Sequence, residues 1–214
     1  METVISLFQK GGVCMYPLLL CSITGVAISI EKLYHLYRAK INPKKLMDKI
    51  KEAVRRKDYA NAIGYCEATP GPVARALATA IELRALPDEE VKQGIEESVL
   101  SEVPRLERFI PALATVVTLS PLLGLLGTIT GLMKLFNVIS QGDIGNSAAL
   151  SAGIAEALIT TATGLSLAIP FLAVHNYLSN KVESIVNDME KSVIEFLNFF
   201  RTEVRDAVEK PAGE

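Results

Sequence analysis

Tryptophan is absent from this chain, and histidine occurs only at His35 and His175. Any aromatic belt at a membrane interface must therefore be built from Tyr and Phe. Cysteine occurs three times, at Cys14, Cys21 and Cys66, which is too few and too scattered for a disulfide framework or a metal cluster. There is no phosphate-cradling Gly-rich loop ending in Lys-Ser/Thr and no Gly-x-Ser-x-Gly elbow, so the sequence offers neither nucleotide nor acyl-transfer chemistry. It reads as a non-enzyme without cofactor or metal. A formal net charge of −2 gives no basic footprint for nucleic acid. No stretch alternates apolar and polar residues as a half-buried strand does.

Charge itself is missing from three long runs. Residues 11–30, 110–133 and 157–180 carry no Asp, Glu, Lys or Arg, in a chain that is 50% hydrophobic with mean hydropathy +0.30. Each run approaches or exceeds the roughly 20 helical residues that cross a hydrocarbon core of about 30 Å. The first competes with a signal peptide. Yet it lacks a positive leader region, and Glu31-Lys32-Leu33-Tyr34-His35 reads as a helix continuing into water rather than a cleavage site. The later two are rich in Gly and Thr: Gly124, Gly127, Thr128, Thr130 and Gly131, then Thr160, Thr161, Thr163 and Gly164. Small residues allow helices to pack closely in lipid, and hydroxyls suit a polar interior.

Lys and Arg set orientation. Ten of them lie between Lys32 and Lys57, whereas residues 137–155 have none. The expected order is an outer amphipathic N-terminus (1–10), a first span (11–31), a cytoplasmic helical segment (32–109), a second span (110–136), an outer loop (137–153), a third span (154–178) and a cytoplasmic amphipathic helix and tail (179–214). The N-terminus is then periplasmic and the C-terminus cytoplasmic. Within the middle segment, Asn42-Pro43 and Asp58 read as helix starts, and a helix is expected over 73–86. Another begins at Pro87-Asp88 and is expected to run on into the second span. In the tail, Val182, Ile185, Val186, Met189, Val193, Phe196, Phe200 and Val204 form an apolar stripe at three- and four-residue steps. With no break after the third span, that helix reaches about 80 Å at 1.5 Å per residue. Its stripe must be covered by the middle segment or by neighbouring copies. The fold class is an all-α integral membrane protein with three transmembrane helices and a long helical extension, assembling as a ring in the bilayer.

Thr128 and Thr161 each lie about 10–12 Å below the outer surface, on antiparallel spans. Two readings stand. The hydroxyls either line a pore between copies or bond back to their own helices. Glu156 borders the third span with Thr160 and Thr163 at helical spacing below it. Glu156 and Thr160 are candidate members of a proton path; the alternative for Glu156 is a boundary residue reaching outer water. Lys134, near the top of the second span, either reaches to the headgroups or pairs with Glu156 or with a partner. Gly124, Gly127, Gly131 and Gly164 are candidate helix-packing positions, and Pro121 and Pro170 are kinks.

The run Ser120-Pro121-Leu122-Leu123-Gly124-Leu125-Leu126-Gly127-Thr128-Ile129-Thr130-Gly131-Leu132-Met133 resembles the second-span motif of the MotA/TolQ/ExbB proton-channel family. Gly153-Ile154-Ala155-Glu156-Ala157-Leu158-Ile159-Thr160-Thr161-Ala162-Thr163-Gly164-Leu165, followed by Ala168-Ile169-Pro170, is similar to its third-span motif. Three spans fit the ExbB/TolQ branch. The resemblance implies an inner-membrane homopentamer around a small ExbD/TolR-like single-span partner with an intramembrane Asp. It also implies a TonB- or TolA-like protein beyond that partner, and use of the proton motive force for outer-membrane import or envelope upkeep. By motif position, Thr128 and Thr161 would face the partner's Asp, and Glu156 would be the carboxylate at the outer end of the path. Lys134 departs from the pattern, which would place a neutral polar residue there. The competing reading is a non-conducting oligomeric scaffold for an envelope complex.

Overall fold

A computed structural model of the chain describes residues 8–38, 43–141 and 147–209. From Met15 onward, every regular element among the described residues is helical. These are α1 (Met15–Arg38), α2 (Pro43–Arg55), α3 (Tyr59–Glu67), α4 (Pro72–Glu82), α5 (Asp88–Glu107), α6 (Ile110–Ser140) and α7 (Ser147–Glu209), with a 3-10 turn over Leu83–Ala85. Stretches of α1, α6 and α7 are each long and apolar enough to cross a membrane. The chain belongs structurally to two compact units. One is formed by the described parts of Met1–Lys32 and Phe109–Leu178, the other by those of Leu33–Arg108 and Ser179–Glu214.

The first unit is a three-helix bundle. Cys14 Sγ lies 4.0 Å from Thr130 Oγ1, and the Lys32 ammonium lies 6.0 Å from the Phe109 ring, so α1 and α6 run antiparallel. Gly25 packs on the Phe171 ring and Gly12 on the Glu156 carboxylate, so α1 and α7 run parallel. Cys14 and Cys21 are both buried and reduced, facing inward as their heptad spacing suggests. Leu19, Leu20, Ile23, Leu122, Leu125, Ile129, Leu158 and Ile169 point outward. A water-soluble bundle would bury them; lipid, as apolar as leucine itself, removes the reason to.

In the second unit the apolar stripes point mostly inward, with Leu100 and Ile194 left exposed. The α7 stripe expected from the sequence is buried at Val182, Ile185, Met189, Val193 and Phe196. Leu46, Met47 and Ile50 of α2 and Leu77 and Ile81 of α4 are also buried in this unit. Its rim is polar. Lys51 Nζ meets Glu195 at 2.5 Å, and Arg55 Nε meets Glu203 at 3.1 Å, tying α2 to the tail of α7. Glu102 of α5 is nearly buried and receives both arms of Arg75 at 2.7 and 2.5 Å. Asp58 caps α3 by accepting from the Asn61 amide at 3.1 Å, and these hydrogen bonds hold its carboxyl below the ordinary value. Asn42, the expected cap of α2, lies outside the described residues.

Two expected boundaries differ. The helix expected to reach residue 86 ends at Glu82 and finishes as a 3-10 turn. Leu86 precedes Pro87 and is extended (φ −82°, ψ 162°), since the proline ring disfavours helix at the preceding residue. The helix from Asp88 does not run into the second span. Arg108 is extended and Phe109 adopts a left-handed conformation (φ 68°). Pro111 at the start of α6 supplies the reason: in a continuous helix its ring would collide with the carbonyl of Glu107. By contrast α7 continues without interruption for 63 residues, Pro170 included.

Replacing Phe196, which is fully buried, by Ala removes the largest side chain of the second core. The expected loss is about 3–5 kcal/mol, seen as a lower unfolding midpoint of the full chain in detergent. Burial pushes the Cys66 thiol up to about 11 from 9.0, with Glu67 adding to the effect. Its folded pKa is raised, so its stabilising contribution is complete below pH 9.0 and disappears as pH climbs through about 11. Maleimide should leave Cys66 largely unmodified at neutral pH in the native chain and modify it once the chain is unfolded.

A candidate proton-path site at the α6–α7 seam

The helices α6 and α7 meet along residues that have almost no side chain. A Cβ on Gly164 would lie 2.5 Å from the Ser120 carbonyl oxygen and 3.2 Å from Gly124 Cα. On Gly124 it would meet the Thr160 carbonyl oxygen at 3.1 Å and Thr161 Cα at 3.2 Å. On Gly131 it would meet the Gly153 carbonyl oxygen at 2.7 Å, and on Gly127 it would collide with the Thr160 side chain. All four expected packing glycines thus lie on the seam, in antiparallel register. Two further members, Ser120 and Gly153, stand in the quoted motifs and are buried here.

The hydroxyls of the site are arranged around this seam. Thr160 is fully buried over Gly127, and its hydroxyl lies 2.9 Å from the Glu156 carbonyl oxygen and 3.0 Å from that of Ala157. Thr160 is therefore a packing element that satisfies its own hydroxyl. Thr161 is half-buried; its hydroxyl lies 3.1 Å from the Ala157 carbonyl oxygen and 3.2 Å from the Gly124 carbonyl oxygen across the seam. Thr128 lies one turn beyond Gly124 and is also half-buried, with its hydroxyl donating to the Leu125 carbonyl at 2.7 Å. Of the two sequence readings of these threonines, the bond back to the own helix is the one displayed within a single chain. Each hydroxyl proton turns to a backbone carbonyl, while one Thr161 bond joins two spans. Thr163 bonds back to Ile159 at 2.8 Å.

Glu156 does not reach outward as a boundary residue. It is buried, and Lys134 Nζ lies 2.7 Å from each of its two carboxylate oxygens. Of the readings of Lys134, the pair with Glu156 is the one realised. On the other side Gly12 (φ 69°) presses its backbone against the same carboxylate, where no Cβ would fit. Sequence reasoning missed Gly12. The available signal was the Gly11-Gly12 pair at the start of the first span; in the structure Gly12 takes a positive φ, which only glycine adopts freely. Among the described residues no group of His, Cys, Asp or Glu is placed to hold a metal ion.

Gly127→Ala should crowd Thr160 and lower the thermal midpoint, at a cost of about 1–3 kcal/mol. Adding Thr160→Gly should recover part of that loss, giving a measurable coupling between the two positions.

A family model of the MotA/TolQ/ExbB proton channel family matches residues 68–191. The chain is 33% identical over 170 residues to the putative biopolymer transport protein ExbB-like 3 of Synechocystis sp., covering 78% of this chain and 81% of that one. It is 32% identical over 184 residues to the biopolymer transport protein ExbB of Salmonella typhimurium, covering 79% and 73%. It is 42% identical over 95 residues to the Tol-Pal system protein TolQ of Haemophilus influenzae, covering 44% and 42%. The glycine seam and its threonines fall inside the matched region, and the chain is a member of the MotA/TolQ/ExbB proton channel family, in its ExbB/TolQ branch.

Proposed function

We propose that the chain is the proton-conducting stator subunit of an inner-membrane motor. In this reading five copies form a ring around the transmembrane helices of an ExbD/TolR-like partner that carries an intramembrane Asp. The proton motive force, taken up at that Asp, energises outer-membrane import or envelope integrity through a TonB- or TolA-like protein. The Lys and Arg distribution supports an orientation with the N-terminus and the connection between α6 and α7 in the periplasm, and α2–α5 and the end of α7 in the cytoplasm.

The observation that best supports this reading is the hydroxyl tier of Thr128 and Thr161. Both are half-buried in a single chain, so each still has surface to offer a neighbour. Each directs its proton at a backbone carbonyl, which leaves oxygen lone pairs as the available function. Such an oxygen accepts a hydrogen bond from a protonated carboxylic acid. To solvate the ionised form, the hydroxyl must rotate away from its carbonyl. The tier therefore tells the two protonation states of a passing carboxyl apart without titrating itself. One elementary charge moving through 100 mV releases about 2.3 kcal/mol, enough to bias such an exchange. Lys134 is matched to Glu156 within the chain, so neither charge stands alone beside the path.

Proton flux into liposomes, with this chain and an ExbD/TolR-like partner reconstituted together, tests the proposal. Flux should need the partner and should fall about tenfold or more in Thr161→Val, with a smaller fall in Thr128→Val, because only Thr161 bonds across the seam. Equal flux in wild type and both variants, together with loss of envelope function in Gly127→Leu, would favour the non-conducting scaffold.

A further inference from the structure

Lys134 and Glu156 form the ion pair seen among the described residues of the apolar unit, and their geometry is one-sided. The Glu156 side chain is 10% exposed and that of Lys134 is 56% exposed, so a flexible cation reaches over a buried carboxylate. Both oxygens are engaged at 2.7 Å by the same ammonium. Removing Lys134 from such a pair leaves a buried, poorly solvated carboxylate. Gly12 closes the remaining side, and its lack of a Cβ brings the first turn ahead of α1 into contact with the carboxylate. One side chain thus meets the ends of all three spans.

The glycine seam beneath this pair has a complementary weakness. Glycine faces permit close approach but present few side chains to resist axial sliding, whereas an ion pair favours one register. Lys134 lies six residues beyond Thr128, and Glu156 lies five before Thr161. At 1.5 Å per residue these offsets are about 9 and 7.5 Å, so a register set at the pair is carried to the threonines through less than two helical turns.

We propose that the Lys134–Glu156 pair, closed over by Gly12, is a clamp that fixes the axial register of α6 on α7, and that Lys134 is thereby a positioning residue for the Thr128–Thr161 tier. The significance of that tier rests on the proton-path reading above. Because Glu156 is engaged within its own chain, the incoming partner need bring no cation for it.

The test uses the full chain in lipid nanodiscs, spin-labelled at cysteines introduced at Phe136 and Ile154. Both positions are exposed, and the three native cysteines are buried. Labelled chain is diluted with unlabelled chain, and distances are compared among wild type, Lys134→Arg, Lys134→Met, Lys134→Glu, Glu156→Lys and the swap Lys134→Glu/Glu156→Lys. A narrow distribution in wild type and Lys134→Arg, broadened or displaced in Lys134→Met and in both single reversals, is the expected pattern, with recovery in the swap. Partner-dependent proton flux should fall about tenfold in the single reversals and return to within about twofold of wild type in the swap. A Lys134→Met distribution and flux equal to wild type would overturn the clamp, as would a swap no better than the single reversals. If distances follow the charges but flux ignores Thr161→Val, the clamp stands and the proton-path reading falls. If flux falls in Thr161→Val while Lys134→Met changes nothing, the reverse holds.

Discussion

Backbone contact between α6 and α7 is the constraint from which the apolar unit follows. Gly124, Gly131, Gly153 and Gly164 let main chain approach main chain more closely than a Cβ would allow, and Gly127 makes room for the Thr160 side chain. Only at that separation can the Thr161 hydroxyl reach the Gly124 carbonyl on the other helix. The same constraint explains where the leucines go. A seam of glycines has no place for Leu122, Leu125 or Leu158, so they are displaced to the outer surface of the bundle, which suits lipid.

The two units handle charge partly alike. In the second unit Lys51–Glu195 and Arg55–Glu203 sit at the rim, where water screens them and each adds little, while the buried Glu102 is held by the exposed Arg75. In the apolar unit Glu156 is buried and carries its own counter-ion in Lys134. A lone carboxylate there would be expensive; on the proposed reading, its neutralisation within one chain leaves the Thr128 and Thr161 hydroxyls to attend to a passing charge. On the proposed proton-path reading, the work falls to groups that orient rather than groups that ionise.

Much of the architecture was legible because it is written in composition. Uncharged runs of the right length mark α1, α6 and α7, and a three- and four-residue apolar stripe marks the end of α7. The Asp58 cap was legible because a short acidic side chain before a helix has one economical use. The joint at Phe109 was not, since an aromatic residue carries no preference for left-handed backbone; the signal lay two residues on, in Pro111. Four seam glycines were visible from the motifs, whereas Gly12 was not, because its constraint comes from Glu156, distant in sequence. The threonine positions could be read from depth alone, but the carbonyls they bond depend on side-chain torsions that spacing does not specify.

The inverted dressing of the apolar unit has a thermodynamic consequence. Separating α6 from α7 within a bilayer exposes glycine and threonine faces to lipid rather than apolar surface to water. It should therefore carry almost none of the heat-capacity increment that accompanies hydration of a core. The second unit, built around Phe196, Leu77 and Ile81, carries that increment in full. Cooling weakens a core held by water's aversion to hydrocarbon and leaves a lipid-embedded seam nearly untouched. One continuous polypeptide thus joins two parts with different temperatures of maximum stability.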